Sequence, residues 1–86
     1  MTVVSELESE VAGLVQRVTR SEEVGPKTRL DADLLMDSLE FTALAVLVAD
    51  RYGEHVDLQK FLAGLELDQI IELSVADVAK YIEGHA

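Results

Sequence analysis

The sequence predicts an all-α fold, a small bundle of three main helices plus one or two short ones, with a long loop between the first and second helices. Three observations predict it. Apolar residues recur at three- and four-residue steps near both ends of the chain, the spacing of an amphipathic helix. A dense apolar segment fills the middle. No segment alternates apolar and polar residues as a half-buried strand does. At 86 residues and 49% hydrophobic content, the chain is one domain, residues 1–86, with enough apolar surface for a single core. There is no internal repeat and no low-complexity stretch.

Each element has its own local reason. Val3, Leu7, Val11, Leu14, Val15 and Val18 make one apolar stripe, which predicts a first helix over about Val4 to Arg20. Its early glutamates and late Arg17 and Arg20 match the helix dipole, and Gly13 weakens it locally. From Ser21 to Asp37 the pattern breaks. Gly25-Pro26 signals a turn, and Leu30 and Leu34 are the expected anchors of the connection. The second helix begins at Asp37 or Ser38 and ends near Arg51-Tyr52-Gly53, with Gly53 as its stop. Leu39, Phe41, Ala43, Leu44, Ala45, Val46, Leu47, Val48 and Ala49 leave this helix almost no polar face. Its neighbours in so small a domain cannot cover all of it, so part of that surface should meet a partner, a cargo or the long connection.

A short extended piece, Glu54 to Asp57, follows. Leu58, Phe61, Leu62 and Leu65 predict a short helix around Gly64 and read as core. Leu67, Ile70 and Ile71 predict another apolar turn. Ser74, with Asp77 three residues on, opens a last helix in a box-like arrangement. Val75, Val78, Ala79 and Ile82 form its inner face, and Gly84 ends it.

Composition narrows the classes of function. A net charge of −10 repels nucleic acid and anionic lipid and favours partners with basic surfaces. With no cysteine there is no disulfide framework and no thiolate metal site. The N-terminus lacks a basic region followed by an apolar run, so no signal peptide is expected. The longest uninterrupted apolar stretch, Ala43 to Ala49, is too short to cross a bilayer. A free-standing cytoplasmic monomer with no membrane attachment is the expectation.

Asp37-Ser38-Leu39 is the feature with chemical content. The serine falls where an acidic, turn-prone segment meets the apolar helix. Its hydroxyl sits at the positive end of the helix dipole, where a phosphate ester would find unpaired backbone N–H groups. A simple start-of-helix role accounts for Asp37-Ser38 equally well, since both residues are common N-caps.

The segment Asp33-Leu34-Leu35-Met36-Asp37-Ser38-Leu39-Glu40 resembles the prosthetic-group site of acyl and peptidyl carrier proteins. The likeness extends over nearly the whole chain. The order of amphipathic helix, long loop, Asp-Ser-Leu at the start of a second helix, short helix over Leu67–Leu73 and final helix over Val75–Glu83 is similar to the family's. So is the closing run Ser74-Val75-Ala76-Asp77-Val78-Ala79-Lys80-Tyr81-Ile82. The resemblance implies a carrier rather than an enzyme, a phosphoprotein with 4′-phosphopantetheine from coenzyme A attached covalently to Ser38. It implies a phosphopantetheinyl transferase that supplies the catalytic groups and Mg²⁺. It also implies a cargo-loading ligase or acyltransferase, and downstream synthase or tailoring enzymes that receive thioester-bound intermediates. Partner contacts are expected at Asp37, Leu39 and Glu40, then Thr42, Ala43 and Val46.

The chain departs from the family in places. The family usually has glycine two residues before the motif's aspartate, and here that position is Leu35. A backbone that favours glycine would be strained by leucine, so the loop is expected to turn differently or Leu35 to add a partner contact. The second helix has only two acids, Glu40 and Asp50, and the stretch from Asp57 to Glu72 is long. These features point to a carrier of polyketide or nonribosomal peptide biosynthesis. A D-alanine-type aminoacyl carrier and an unmodified acidic helical interaction module are the alternatives. A triad of Ser38 with His55 or His85 and an aspartate has no recognisable motif behind it. Asp31-Ala32-Asp33 starts like a calcium loop but has Met36 at the glycine position and Thr42 at the glutamate position.

Overall fold

A computed structural model describes residues 3–85, with side chains from Glu6 onward. The side chain of Val3, part of the predicted stripe, and residues Met1, Thr2 and Ala86 lie outside that description. The described chain is five helices: α1 (Val3–Thr19), α2 (Ser38–Tyr52), α3 (Leu58–Ala63), α4 (Leu67–Glu72) and α5 (Val75–His85). The three long ones form the bundle. α5 and α2 both pack on α1, and α3 packs on α2. The expected all-α architecture of three main helices and two short ones is what the chain adopts.

The core follows the sequence periodicity. Val11 and Val15 of α1, Leu44 and Val48 of α2, and Val75, Val78, Ala79 and Ile82 of α5 are fully buried. Val56 and Leu58 close the core from the α2–α3 side. Among the described residues no polar or charged side chain is buried, so apolar burial alone supplies the driving force of the interior.

Helix boundaries follow from capping chemistry. α1 stops one residue before the expected Arg20. Arg20 turns left-handed at φ 62°, and its N–H bonds the Gln16 carbonyl at 2.7 Å. α2 stops at Gly53, whose φ of 112° and ψ of 153° lie in a region open only to glycine. Asp57 caps α3 by accepting the Lys60 N–H at 3.1 Å. Ser74 and Asp77 make the predicted box: Asp77 N–H donates to Ser74 Oγ (3.2 Å), and Ser74 N–H to Asp77 Oδ2 (3.0 Å). α5 runs one residue past Gly84.

The long connection is ordered by backbone bonds to the opposite end of the chain. Leu30 N–H donates to the Leu73 carbonyl at 2.9 Å, Val75 N–H to Thr28 at 3.0 Å, and Ala76 N–H to Pro26 at 2.9 Å. These bonds create an isolated antiparallel bridge between Arg29 and Ser74. Leu30 is the predicted anchor and is fully buried, Leu34 is half-buried, and Met36 is a further buried anchor.

Candidate functional site

The approach to Ser38 is a tight turn held from both ends. Arg29 N–H donates to Asp33 Oδ2 at 2.8 Å, and the Arg29 guanidinium reaches both Asp33 (3.4 Å) and Glu72 (3.1 Å). The backbone bond from Arg29, aided by the guanidinium, holds the Asp33 carboxyl below its ordinary pKa. The turn ends at Leu35, which adopts φ 54°. Leu35 N–H bonds Asp31 O (3.0 Å), and the left-handed conformation of Leu35 carries Met36 N–H back to Leu30 O (3.1 Å). The position therefore keeps the backbone that favours glycine, and carries a leucine there. The loop does not avoid the strain. A left-handed residue with a Cβ costs about 1–2 kcal/mol.

Ser38 is the first residue of α2 and is exposed. Asp37, not Ser38, is the cap: its carboxylate accepts the Glu40 N–H at 2.9 Å, and the Glu40 carboxylate accepts the Asp37 N–H at 3.2 Å. The box leaves the Ser38 hydroxyl out of the capping geometry. The first amides of the helix, those of Ser38 and Leu39, precede any intrahelical acceptor. Thr42 donates its hydroxyl to the Ser38 carbonyl at 2.9 Å and accepts the Gln59 amide at 3.2 Å, which ties the first turn of α2 to α3.

Four of the residues singled out from the sequence fall on one outward stripe. Leu39, Thr42, Ala43 and Val46 are all exposed, at the spacing of a single helix face. Leu39 is 80% and Val46 62% exposed, while Leu44, Ala45 and Val48 face the core. Glu40 is half-exposed and engaged in the cap.

A groove of about 350 Å³ starts at Ser38. Phe41 of α2, Gln59, Leu62 and Ala63 of α3, and Ile70 of α4 line it. None of these five was singled out from the sequence as a site residue. Phe61, Leu62 and Leu65 were expected in the core with Leu58, but only Leu58 is fully buried. The departure is geometric: two six-residue helices are too short to wrap the bundle, so their apolar sides remain as groove walls. The available signal was an excess of apolar residues over what the long helices can cover. A second groove, about 460 Å³, lies on the other side of α3 and α4, against Leu73 and Tyr81, and Ser38 is not part of it.

The two histidines stand elsewhere. The His85 ring lies tilted at 34° against Tyr81, centroids 4.3 Å apart, and His55 sits against the Gly53 turn. Neither lines the groove at Ser38. Among the described residues no three His, Asp or Glu side chains converge as metal ligands, and no helix is long and apolar enough to cross a membrane.

No protein-family model, curated protein or solved structure matches this chain.

Proposed function

We propose that the protein is a carrier whose Ser38 hydroxyl bears a 4′-phosphopantetheine arm. One arrangement carries the reading: an exposed serine at the first position of α2, spared from capping by Asp37, at the mouth of an apolar groove. The residues present fit such an arm. The hydroxyl is accessible to a modifying enzyme, the adjacent helix terminus favours a phosphodiester, and Phe41, Leu62 and Ile70 offer an apolar wall next to the attachment point.

In the attachment step the Ser38 oxygen attacks the pyrophosphate phosphorus nearest the pantetheine of coenzyme A. A new P–O bond forms, adenosine 3′,5′-bisphosphate leaves, and the serine proton passes to a base of the phosphopantetheinyl transferase. The arm supplies a thiol on which acyl, aminoacyl or peptidyl cargo is held as a thioester. The chain's own contribution is to present the serine, position the approach and offer docking contacts at Asp37, Leu39, Glu40, Thr42, Ala43 and Val46. Tethering raises the cargo's local concentration for each partner enzyme in turn. The partners are a loading ligase or acyltransferase and later synthase or tailoring enzymes of polyketide or nonribosomal peptide biosynthesis, met by a cytoplasmic monomer.

Intact mass spectrometry after incubation with coenzyme A, Mg²⁺ and a broad-specificity transferase tests the proposal. One added phosphopantetheine on the wild type, absent from Ser38→Ala, supports it. A wild type that stays unmodified favours the second reading, an unmodified interaction module, for which the exposed Leu39 and Val46 stripe is the specific observation.

A further inference from the structure

Leu35 and Leu39 are the two most exposed large apolar side chains of the described chain, at 77% and 80%. They bracket Ser38 in sequence. Leu35 lies three residues before it, so its Cα is within about 11 Å of that of Ser38. Leu39 is the next residue along. Leu35 is also held left-handed at φ 54°, a conformation in which glycine or asparagine would sit with less strain. In return for that strain the folded chain gains little burial from the side chain. Strained, exposed positions of this kind gather at functional sites.

The surrounding charge selects the occupant. Asp31, Asp33, Asp37 and Glu40 flank the two leucines in sequence, and the one cation at this turn, Arg29, is engaged by Asp33 and Glu72, so acids outnumber it. A second copy of this chain, at a net charge of −10, would bring the same acids against themselves. Nucleic acid and anionic lipid are repelled in the same way. What complements the patch is a protein surface with an apolar pocket and a lysine- or arginine-bearing rim. A few apolar side chains cover far less than the roughly 800 Å² per partner of a stable interface, so the contact is transient.

We propose that Leu35 and Leu39 together form a two-pronged apolar docking contact around Ser38 for basic-rimmed enzymes that act on that serine, with Leu35 as the specificity-determining prong. The inference rests on Ser38 being the modified residue. Leu35 acts by positioning: it holds the partner, and the chemistry belongs to the serine and the enzyme.

The test uses the whole chain, coenzyme A, Mg²⁺ and a broad-specificity phosphopantetheinyl transferase as the probe. Leu35→Gly keeps the left-handed turn and removes the prong. Its circular dichroism and thermal midpoint should match or exceed those of the wild type, while KM for the carrier rises about tenfold, the equivalent of about 1.4 kcal/mol, and kcat stays unchanged. Leu39→Ala should raise KM similarly. Added salt should raise KM for both wild type and variant, because the acidic rim is retained. Equal KM for wild type and Leu35→Gly overturns the docking proposal and leaves the carrier reading intact. A folded wild type that accepts no phosphopantetheine overturns both. Sedimentation showing a wild-type dimer that Leu35→Gly disperses assigns the patch to a second copy and overturns it as well.

Discussion

Asp37 and Glu40 exchange hydrogen bonds around Ser38, the Asp37 carboxylate taking the Glu40 amide at 2.9 Å and the Glu40 carboxylate taking the Asp37 amide at 3.2 Å. The residues on either side of the serine thus satisfy the helix start between them. That division of labour leaves the serine free to be changed without unravelling α2.

Ser38→Ala should therefore be nearly silent for folding, within about 0.5 kcal/mol as for other exposed sites. Asp37→Ala should cost about 1 kcal/mol through the lost cap, lowering the thermal midpoint by roughly 4–8 °C in a domain of this size. Urea and thermal unfolding of the two variants side by side check the contrast. A Ser38→Ala loss as large as that of Asp37→Ala would show that the hydroxyl is part of the cap.

Leu35→Gly should stabilise the fold. Relief of the left-handed Cβ contributes about 1–2 kcal/mol, and the greater freedom of glycine in the unfolded chain offsets about 0.5–1 kcal/mol. The side chain is exposed, so little burial is lost. A net gain of about 0.5 kcal/mol is expected as a higher urea midpoint at unchanged slope. A lower midpoint would mean that Leu35 makes contacts that stabilise the folded chain.

Leu30→Ala should cost about 2–5 kcal/mol, the range for truncating a buried leucine. Leu30 is fully buried and its N–H is bonded to Leu73, so the loss also loosens the whole approach to Ser38. Against a typical stability of 5–15 kcal/mol, a substantial unfolded fraction should appear at elevated temperature. Hydrogen exchange at Thr28, Leu30 and Met36 should quicken more than at Val48 in α2.

The Glu10–Tyr52 pair sets two pH limits. Tyr52 Oη donates to Glu10 Oε1 at 2.7 Å and Arg51 Nε reaches the same oxygen at 3.3 Å. The tyrosine bond first, then the arginine, hold the Glu10 carboxyl below its ordinary 4.5. Its contribution is present above that value and is lost as pH falls through the lower folded one. Burial first, then the nearby carboxylate, push the Tyr52 phenol from 10.0 to about 12. Its contribution is complete below 10.0 and is lost as pH rises through about 12. Glu10→Gln should flatten the acid limb of a urea midpoint against pH, and Tyr52→Phe the alkaline limb. The acid effect is the smaller, because Glu10 is exposed while Tyr52 is half-buried.

The features legible in the sequence were those written by local chemistry. Val11, Val15, Leu44, Val48, Val78 and Ile82 are spaced by the helical repeat, and that repeat places them in the core. Ser74 and Asp77 need only each other to form a box, and Gly53 needs only its own backbone to stop α2. Leu30 and Leu34 were legible as anchors of the connection, of which Leu30 is fully buried and Leu34 half-buried. What could not be read depends on residues far apart in the chain. The Arg29–Ser74 bridge joins segments that share no pattern. The groove at Ser38 exists because α3 and α4 are too short to seal Phe41, Leu62 and Ile70 from solvent. Of the two expectations for Leu35, a different turn or a partner contact, the different turn does not occur: the backbone stays left-handed, with Leu35 N–H bonded to Asp31 and Met36 N–H to Leu30.

The stitching of Pro26, Thr28 and Leu30 onto Leu73, Val75 and Ala76 makes the loop a dependent of the last helix. Shape at the serine is thus inherited from residues nearly forty positions downstream. Clipping the chain before α5 would remove the Val75 and Ala76 donors that hold Thr28 and Pro26, and a ligand that prised α4 away would transmit the disturbance to Ser38 through the backbone.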